Sequence, residues 1–501
     1  MKNTFITKTL SKCIVLLSML AFGITILAGC KKYITVDTPP TSVSTQSAFK
    51  NNAAAIQFVT ALYANMSGAN GNGSYVSTSI LPELSADNLS LYDKNMFRYT
   101  DYYKNSLEAQ YLTSGEQDTY WVINYKQLYT INVAIEQLIE NRYLTPAVAK
   151  RLLGEAYFMR AFYYFYLINF FGDVPLVLTS DYERNGSLSK TSQTESYKQI
   201  ETDLSAAETL LDTKYVSADV LTTTAERLRP NLSAVNALQA RVFLYQKKYT
   251  QAETAASKVI DQPAYALTDP ASVFLKNSTE TIWALQSVNV GYNTYEGSIF
   301  NLPPSGPNGN LFGGYPFFAS SSLVGSFKPG DARKTEWLGV VKANNRDYYY
   351  PKKYKIPFIA NSKDLQEYEI VLRLAELYLI RAEARNEQSN TIDAVSDLNA
   401  LRVKRRETGS GTVENPLPDL SATLTQTQLR ELILEERRHE LFTEGGHRWF
   451  DLRRSGTIDK VMAIEEVEKG GTWESYKIYY PIPRYDLMSN KSLIQTPGYS
   501  N

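Results

Sequence analysis

Apolar residues recur at helical spacing in several stretches of the chain. Residues 152–171 read LLGEAYFMRAFYYFYLINFF, an apolar-rich helix that Gly172-Asp173 stops and Pro175 follows. Residues 233–246 and 249–260 predict two helices joined by a Lys-Lys turn. Ala237, Arg241 and Tyr245 repeat every four residues in the first, and Ala252 and Ala256 in the second. Small side chains at facing positions let antiparallel helices approach closely, as in a tetratricopeptide pair. Residues 369–386 and 391–405 repeat the plan, with Ala375, Leu379 and Ala382, then Ala394 and Leu398. Weaker helical patterns cover 51–66 and 196–211. The two pairs lie roughly four repeat lengths apart and are not tandem. The expected fold is therefore mainly α: a tetratricopeptide-like helix-pair scaffold with long loop-rich insertions and little β.

The main insertion runs from about 262 to 366. It carries Trp283, Tyr292, Tyr295, Phe300, Phe312, Tyr315, Phe317, Phe318, Trp337 and Tyr348-Tyr349-Tyr350, interleaved with Pro, Gly and Asn. A second aromatic stretch, 75–125, holds Tyr92, Tyr99, Tyr102, Tyr103, Tyr120 and Trp121 beside Glu83, Asp87 and Asn88. The chain has 36 Tyr against 20 Phe and 5 Trp, so its aromatic surface is mostly the kind that also offers a hydroxyl. Long loop-rich segments inside a compact protein are usually functional.

The first thirty residues read as an address. Lys2, Lys8 and Lys12 precede an apolar run, 13–27, too short to span a bilayer comfortably. It ends in Leu27-Ala28-Gly29-Cys30, which resembles a bacterial lipobox. Residues 1–29 are thus expected to be a lipoprotein signal peptide, with Cys30 lipidated and residues 30–50 a tether. Residues 51–501 would form a single composite domain. Cys13 leaves with the signal, so no thiol remains for a disulfide, a zinc site or a nucleophile. The 52 basic and 52 acidic side chains balance, which argues against a nucleic-acid partner. His439 and His447 are the only histidines, and His439-Glu440-Leu441-Phe442-Thr443 lacks the second histidine of a zinc-protease helix. No metal and no cofactor are expected.

Residues 429–454 read LRELILEERRHELFTEGGHRWFDLRR. Leu429, Leu432 and Ile433 define one helical face, and Glu436 and Glu440 fall on it. A carboxylate on a core stripe must be paired. Arg448, Arg453 and Arg454, beyond the Gly445-Gly446 break, are the nearest candidate partners for a structural network.

In this order the segments resemble the SusD/RagB family of outer-membrane nutrient-binding lipoproteins. The matching pieces are Cys30, GEAYFMRAFYYFYLINFFGDVPLV at 154–177, the helix pair at 228–260, RLAELYLIRAEAR at 373–385, ERRHELFTEGGHRWFDLRR at 436–454 and YPIPRYDLMSNKSLIQTPGY at 480–499. The resemblance implies glycan capture without catalysis at the surface of Bacteroidetes-type bacteria. It also implies an outer-membrane location facing the exterior, lipid attachment through Cys30, and a SusC-like TonB-dependent transporter as partner.

Sugar capture needs aromatic faces for the pyranose C–H groups and Asn, Asp or Arg for the hydroxyls, direct or through water. From the first aromatic stretch the candidates are Asp87, Asn88, Tyr92 and Trp121; from the insertion, Tyr292, Tyr295 and Tyr315. Two other readings stay open. One is a peptide- or protein-binding receptor of the same transport type. The other is an α-helical glycoside-cleaving enzyme, for which Glu83 and Asp87, four residues apart, would supply the two carboxyls.

Overall fold

The computed structural model describes residues 45–67, 75–96, 99–109, 120–310, 314–408, 413–414 and 416–500. The expected signal peptide, Cys30 and most of the expected tether lie outside the described residues. Contacts group Phe49–Asn501 into one compact unit, apart from Met1–Ala48.

The longer helices are α1 (Asn52–Met66), α2 (Val76–Ser85), α3 (Tyr120–Leu138), α4 (Pro146–Phe171), α5 (Gln193–Leu210), α6 (Leu232–Tyr245), α7 (Tyr249–Ile260), α8 (Leu374–Glu387), α9 (Thr391–Lys404), α10 (Gln426–Leu441), α11 (His447–Arg454) and α12 (Ile458–Lys469). Their starts are written locally. Asn51, Ser192, Asn231 and Asn390 each cap a helix through a side-chain oxygen. Pro146 opens α4, where its missing N–H costs nothing. Thr425 and Gln428 form a reciprocal capping box on α10.

The helices stack in series: α3 on α4, α4 on α5, α5 on α6, α6 on α7, α7 on α8, and α8 on both α9 and α10. The two alanine-rich pairs therefore touch directly through α7 and α8, although the insertion separates them in sequence. Ala237, Ala252, Ala256, Ala375, Ala382 and Ala394 are buried at these contacts. A buried bidentate pair, Arg241 to Glu376 at 2.7 and 2.6 Å, ties α6 to α8.

Among the described residues strands are few and short, and form three two-stranded antiparallel sheets. They pair β1 (Leu89–Leu91) with β3 (Phe317–Ala319), β2 (Thr281–Leu285) with β6 (Glu369–Arg373), and β4 (Leu338–Ala343) with β5 (Arg346–Pro351). One expectation is corrected here. Residues 369–373 form β6, and the helix begins only at Leu374. All five β6 residues are buried, so the strand has no polar alternation to separate it from the helix that follows. The insertion packs Phe274, Trp337 and Tyr354 into a core shared with Ile370 of β6 and Phe442 after α10. Among the described residues no helix is long and apolar enough to cross a membrane.

Candidate functional site

The inner face of α10 carries a buried ion network. Glu440 is fully buried and accepts from Arg373 Nη1 at 2.6 Å, Arg405 Nη2 at 2.8 Å and Arg333 Nη1 at 3.0 Å. Burial alone would raise its pKa, but Arg405, Arg373 and Arg333 together hold it well below the usual carboxylate range. Glu436 pairs with Arg333 at 2.6 Å and with Arg402 at 2.8 Å.

The arginines expected from sequence point elsewhere. Arg448 forks onto Asp87, at 2.6 and 2.7 Å. Arg453 donates to Asn169 Oδ1 at 2.6 Å and lies over the Tyr479 ring at 4.8 Å. Arg454 binds Asp451 at 2.8 Å and Glu383. The reason is the reversal after α10. Thr443, Gly445 and Gly446 all take positive φ, so α11 turns away from the face that holds Glu436 and Glu440.

This second ion pair anchors the start of β1. Arg448 and Arg438 both face the Asp87 carboxylate and hold its pKa well below normal, against the opposing effect of burial. Arg438 Nε also reaches Asn88 Oδ1 at 2.9 Å, and Asn88 Nδ2 donates to Glu83 Oε2 at 2.7 Å. Asp87 and Asn88 are thus buried structural groups rather than exposed sugar contacts. Glu83 is buried as well, so the Glu83/Asp87 pair offers no open acid–base site.

Burial pushes the Glu83 carboxyl up to about 7, despite hydrogen bonds from Asn88 and the Thr443 backbone. A folded pKa above the unfolded one means that the unfolded chain binds fewer protons in the window between them. The stability contributed by this group therefore falls as pH rises from about 4.5 to about 7, and is level above that. Glu83→Gln removes the effect. Its stability relative to the parent should rise through that window, at up to about 1.4 kcal/mol per pH unit. Urea unfolding at pH 5 and pH 8 measures it, and an equal difference at both would contradict the assignment.

Downstream of this anchor the two aromatic stretches meet. β1 pairs with β3, and Tyr92 N donates to Pro316 O at 2.8 Å. The β4–β5 hairpin turns at Asn344 and Asn345, both with positive φ, which suits a two-residue turn of the twisted type. Alternate residues Arg346, Tyr348 and Tyr350 share one face of β5. Tyr348 is buried with Leu302 and Phe318, and Tyr315 and Tyr350 pack partly exposed around them. Tyr92, 41% exposed, meets the Tyr348 ring edge-on at 6.2 Å. The exposed Arg346 guanidinium lies 5.1 Å over Tyr348 and 5.4 Å over Phe318. Asn308 Oδ1 accepts from the backbone N–H of Asn310 and of Tyr315, and Asp93 packs beside Gly309. The resulting surface presents aromatic rings, a guanidinium, a carboxylate and amides together.

Of the sequence candidates, Tyr92 and Tyr315 come together around Tyr348. Tyr292 does not join them: it packs half-buried against Phe358, ring centroids 4.7 Å apart. Tyr295 opens the short helix Tyr295–Phe300 and is also half-buried. Trp121 is not an exposed platform. It is 2% exposed and wedged between Tyr125 and Phe171, at 4.8 and 4.9 Å, on the face of α3 that meets α4. Sequence reasoning overlooked Arg346 and did not select Tyr348. The polar Asn344-Asn345 pair between two alternating segments was the available signal. Among the described residues no group of three or more His, Cys, Asp or Glu side chains could hold a metal ion.

Comparison with known proteins fits this architecture. Residues 332–499 match the family model described as the SusD family, and residues 41–244 match one described as starch-binding associating with outer membrane. The chain belongs to the SusD/RagB family. SusD-like protein P2 of Formosa agariphila is 28% identical over 77% of this chain and 81% of its own length. The starch-binding protein SusD of Bacteroides thetaiotaomicron is 25% identical over 77% of this chain and 79% of its own. Among solved structures, a SusD-like protein from Bacteroides fragilis superposes with a TM-score of 0.74 at 21% identity, covering 92% of this chain and all of the other. That likeness concerns the fold.

Proposed function

We propose that this protein captures an oligosaccharide at the surface around Tyr92, Tyr315, Tyr348 and Arg346, without cleaving it. The observation that carries the reading is the meeting of two distant aromatic segments around Tyr348, with polar groups at their rim. Aromatic faces take the C–H side of a pyranose, while Arg346, Asp93 and Asn308 supply partners for its hydroxyls. The names of the relatives, starch-binding among them, support a glycan as cargo. In this reading Cys30 carries the lipid that holds the protein on the outer membrane, facing outward. The sugar passes to a SusC-like TonB-dependent transporter.

Tyr92→Ala tests the site. Tyr92 is 41% exposed, so its loss should leave melting close to the parent. Binding of starch- and laminarin-derived oligosaccharides, whichever the parent binds, should weaken roughly ten- to a hundredfold, the worth of one stacking ring. Calorimetric titration of parent and variant reads it. Undiminished binding by the variant would move the site elsewhere, and binding of peptides rather than sugars by the parent would replace the cargo.

A further inference from the structure

A second aromatic site shares no residue with the surface around Tyr348. Trp121, Tyr125 and Tyr129 follow at four-residue spacing and so occupy one stripe of α3. The stripe grades from floor to mouth: Trp121 is buried, Tyr125 half-buried and Tyr129 50% exposed. It lines a cavity of about 310 Å³ together with Tyr182, 76% exposed, and Asp486 from the short helix Arg484–Ser489. The Tyr125 hydroxyl is engaged by Pro175 O at 2.8 Å, so this residue offers the cavity its ring.

Asp486 is the unusual member. The Trp121 indole N–H bonds its carboxylate, while Oδ2 is buried and has no hydrogen-bond donor among the described residues. Among the described residues no lysine or arginine lines the cavity. Elsewhere in the fold buried carboxylates such as Glu155, Asp87 and Glu440 each face two or more guanidiniums. Here the negative charge meets the Trp121 indole, its own backbone N–H and tyrosine faces that are themselves electron-rich, beside the neutral Asn185, Ser489 and Asn490. Such a setting attracts a cation and repels an anion. A neutral hydroxyl would satisfy the free oxygen but leave the charge unbalanced.

We propose that this cavity binds a cationic group, an ammonium or a guanidinium, with the Asp486 carboxylate as its counter-ion and the rings of Tyr125, Tyr129 and Tyr182 as its walls. The group can come from an amino sugar or from a basic side chain of a peptide. The proposal is independent of the glycan site.

Titration of the purified protein at neutral pH, followed by ligand-observed NMR and calorimetry, tests it. The probes are glucosamine and N-acetyl-arginine amide, each paired with its neutral twin, N-acetylglucosamine and N-acetyl-citrulline amide. At least one cation should bind saturably, with its twin weaker by roughly tenfold or more. Saturation by glucosamine assigns the amino-sugar source, and saturation by the arginine probe assigns the basic side chain. Asp486→Asn, which keeps the shape, should abolish binding. Tyr182→Ala, at an exposed position, should weaken it with melting unchanged, and serves if the Asp486 variant does not fold. Failure of both cations to saturate, equal binding by the neutral twins, or full binding by the Asp486 or Tyr182 variant would overturn the proposal.

Discussion

Glu440→Ala should destabilise the protein by about 3–5 kcal/mol, the cost of leaving buried charges without their partner. Three guanidiniums converge on this one fully buried carboxylate, from Arg333, Arg373 and Arg405. Arg333 comes from the insertion, Arg373 from the end of β6 and Arg405 from just after α9. Removing the carboxylate therefore sets like charges against one another where three parts of the chain meet. Thermal melting of the variant measures this, with Lys198→Ala as a control at the exposed Lys198–Glu195 pair, where roughly 0–1 kcal/mol is expected. A Glu440 variant that melts with the control would show that these arginines relax into solvent, and that the network does not hold the junction.

Asp87→Ala is expected to cost a comparable amount, about 3–5 kcal/mol, because Arg448 and Arg438 both lose a buried partner. Its consequence reaches further. Asp87 lies two residues before β1, and its backbone carbonyl accepts from Ser320 Oγ at 2.6 Å, beyond the end of β3. Loosening this anchor disturbs the strand pair that sets Tyr92 against Tyr348. Asp87→Ala should therefore lose stability and sugar binding together, whereas Tyr92→Ala loses binding alone. Measuring melting and affinity on both variants separates the two roles. An Asp87 variant with parental melting and weakened binding would instead make Asp87 a direct sugar contact.

The scaffold was legible because its helices carry repeated signals. Small alanines on the helical faces, Ala237, Ala252 and Ala256, then Ala375, Ala382 and Ala394, mark the close contacts of α6 with α7 and of α8 with α9, and those positions are buried. The β6 strand was not legible, since Glu369–Arg373 is buried on both faces and its three central apolar residues have no period of their own. The partners of Glu440 were hidden by distance. Arg333, Arg373 and Arg405 stand 107, 67 and 35 residues away in sequence, whereas Arg448 is near only along the chain. For the binding surface, composition pointed to the two aromatic stretches but not to the right rings. Tyrosine serves cores and surfaces alike, so Tyr92 at 41% exposure and Trp121 at 2% look equally suitable until α4 and β5 are in place. Asp87 misled for a similar reason. A carboxylate among aromatics suits a sugar, and equally suits an arginine brought in from α11.

The most direct test of the capture site is a crystal structure of the protein with the oligosaccharide it binds most tightly. Sugar rings should lie across Tyr92 and Tyr315, with hydroxyls reaching Arg346, Asp93 or Asn308 and no cleavage of the chain of sugars. A sugar bound away from Tyr92, Tyr315 and Arg346, or one found hydrolysed, would contradict the account.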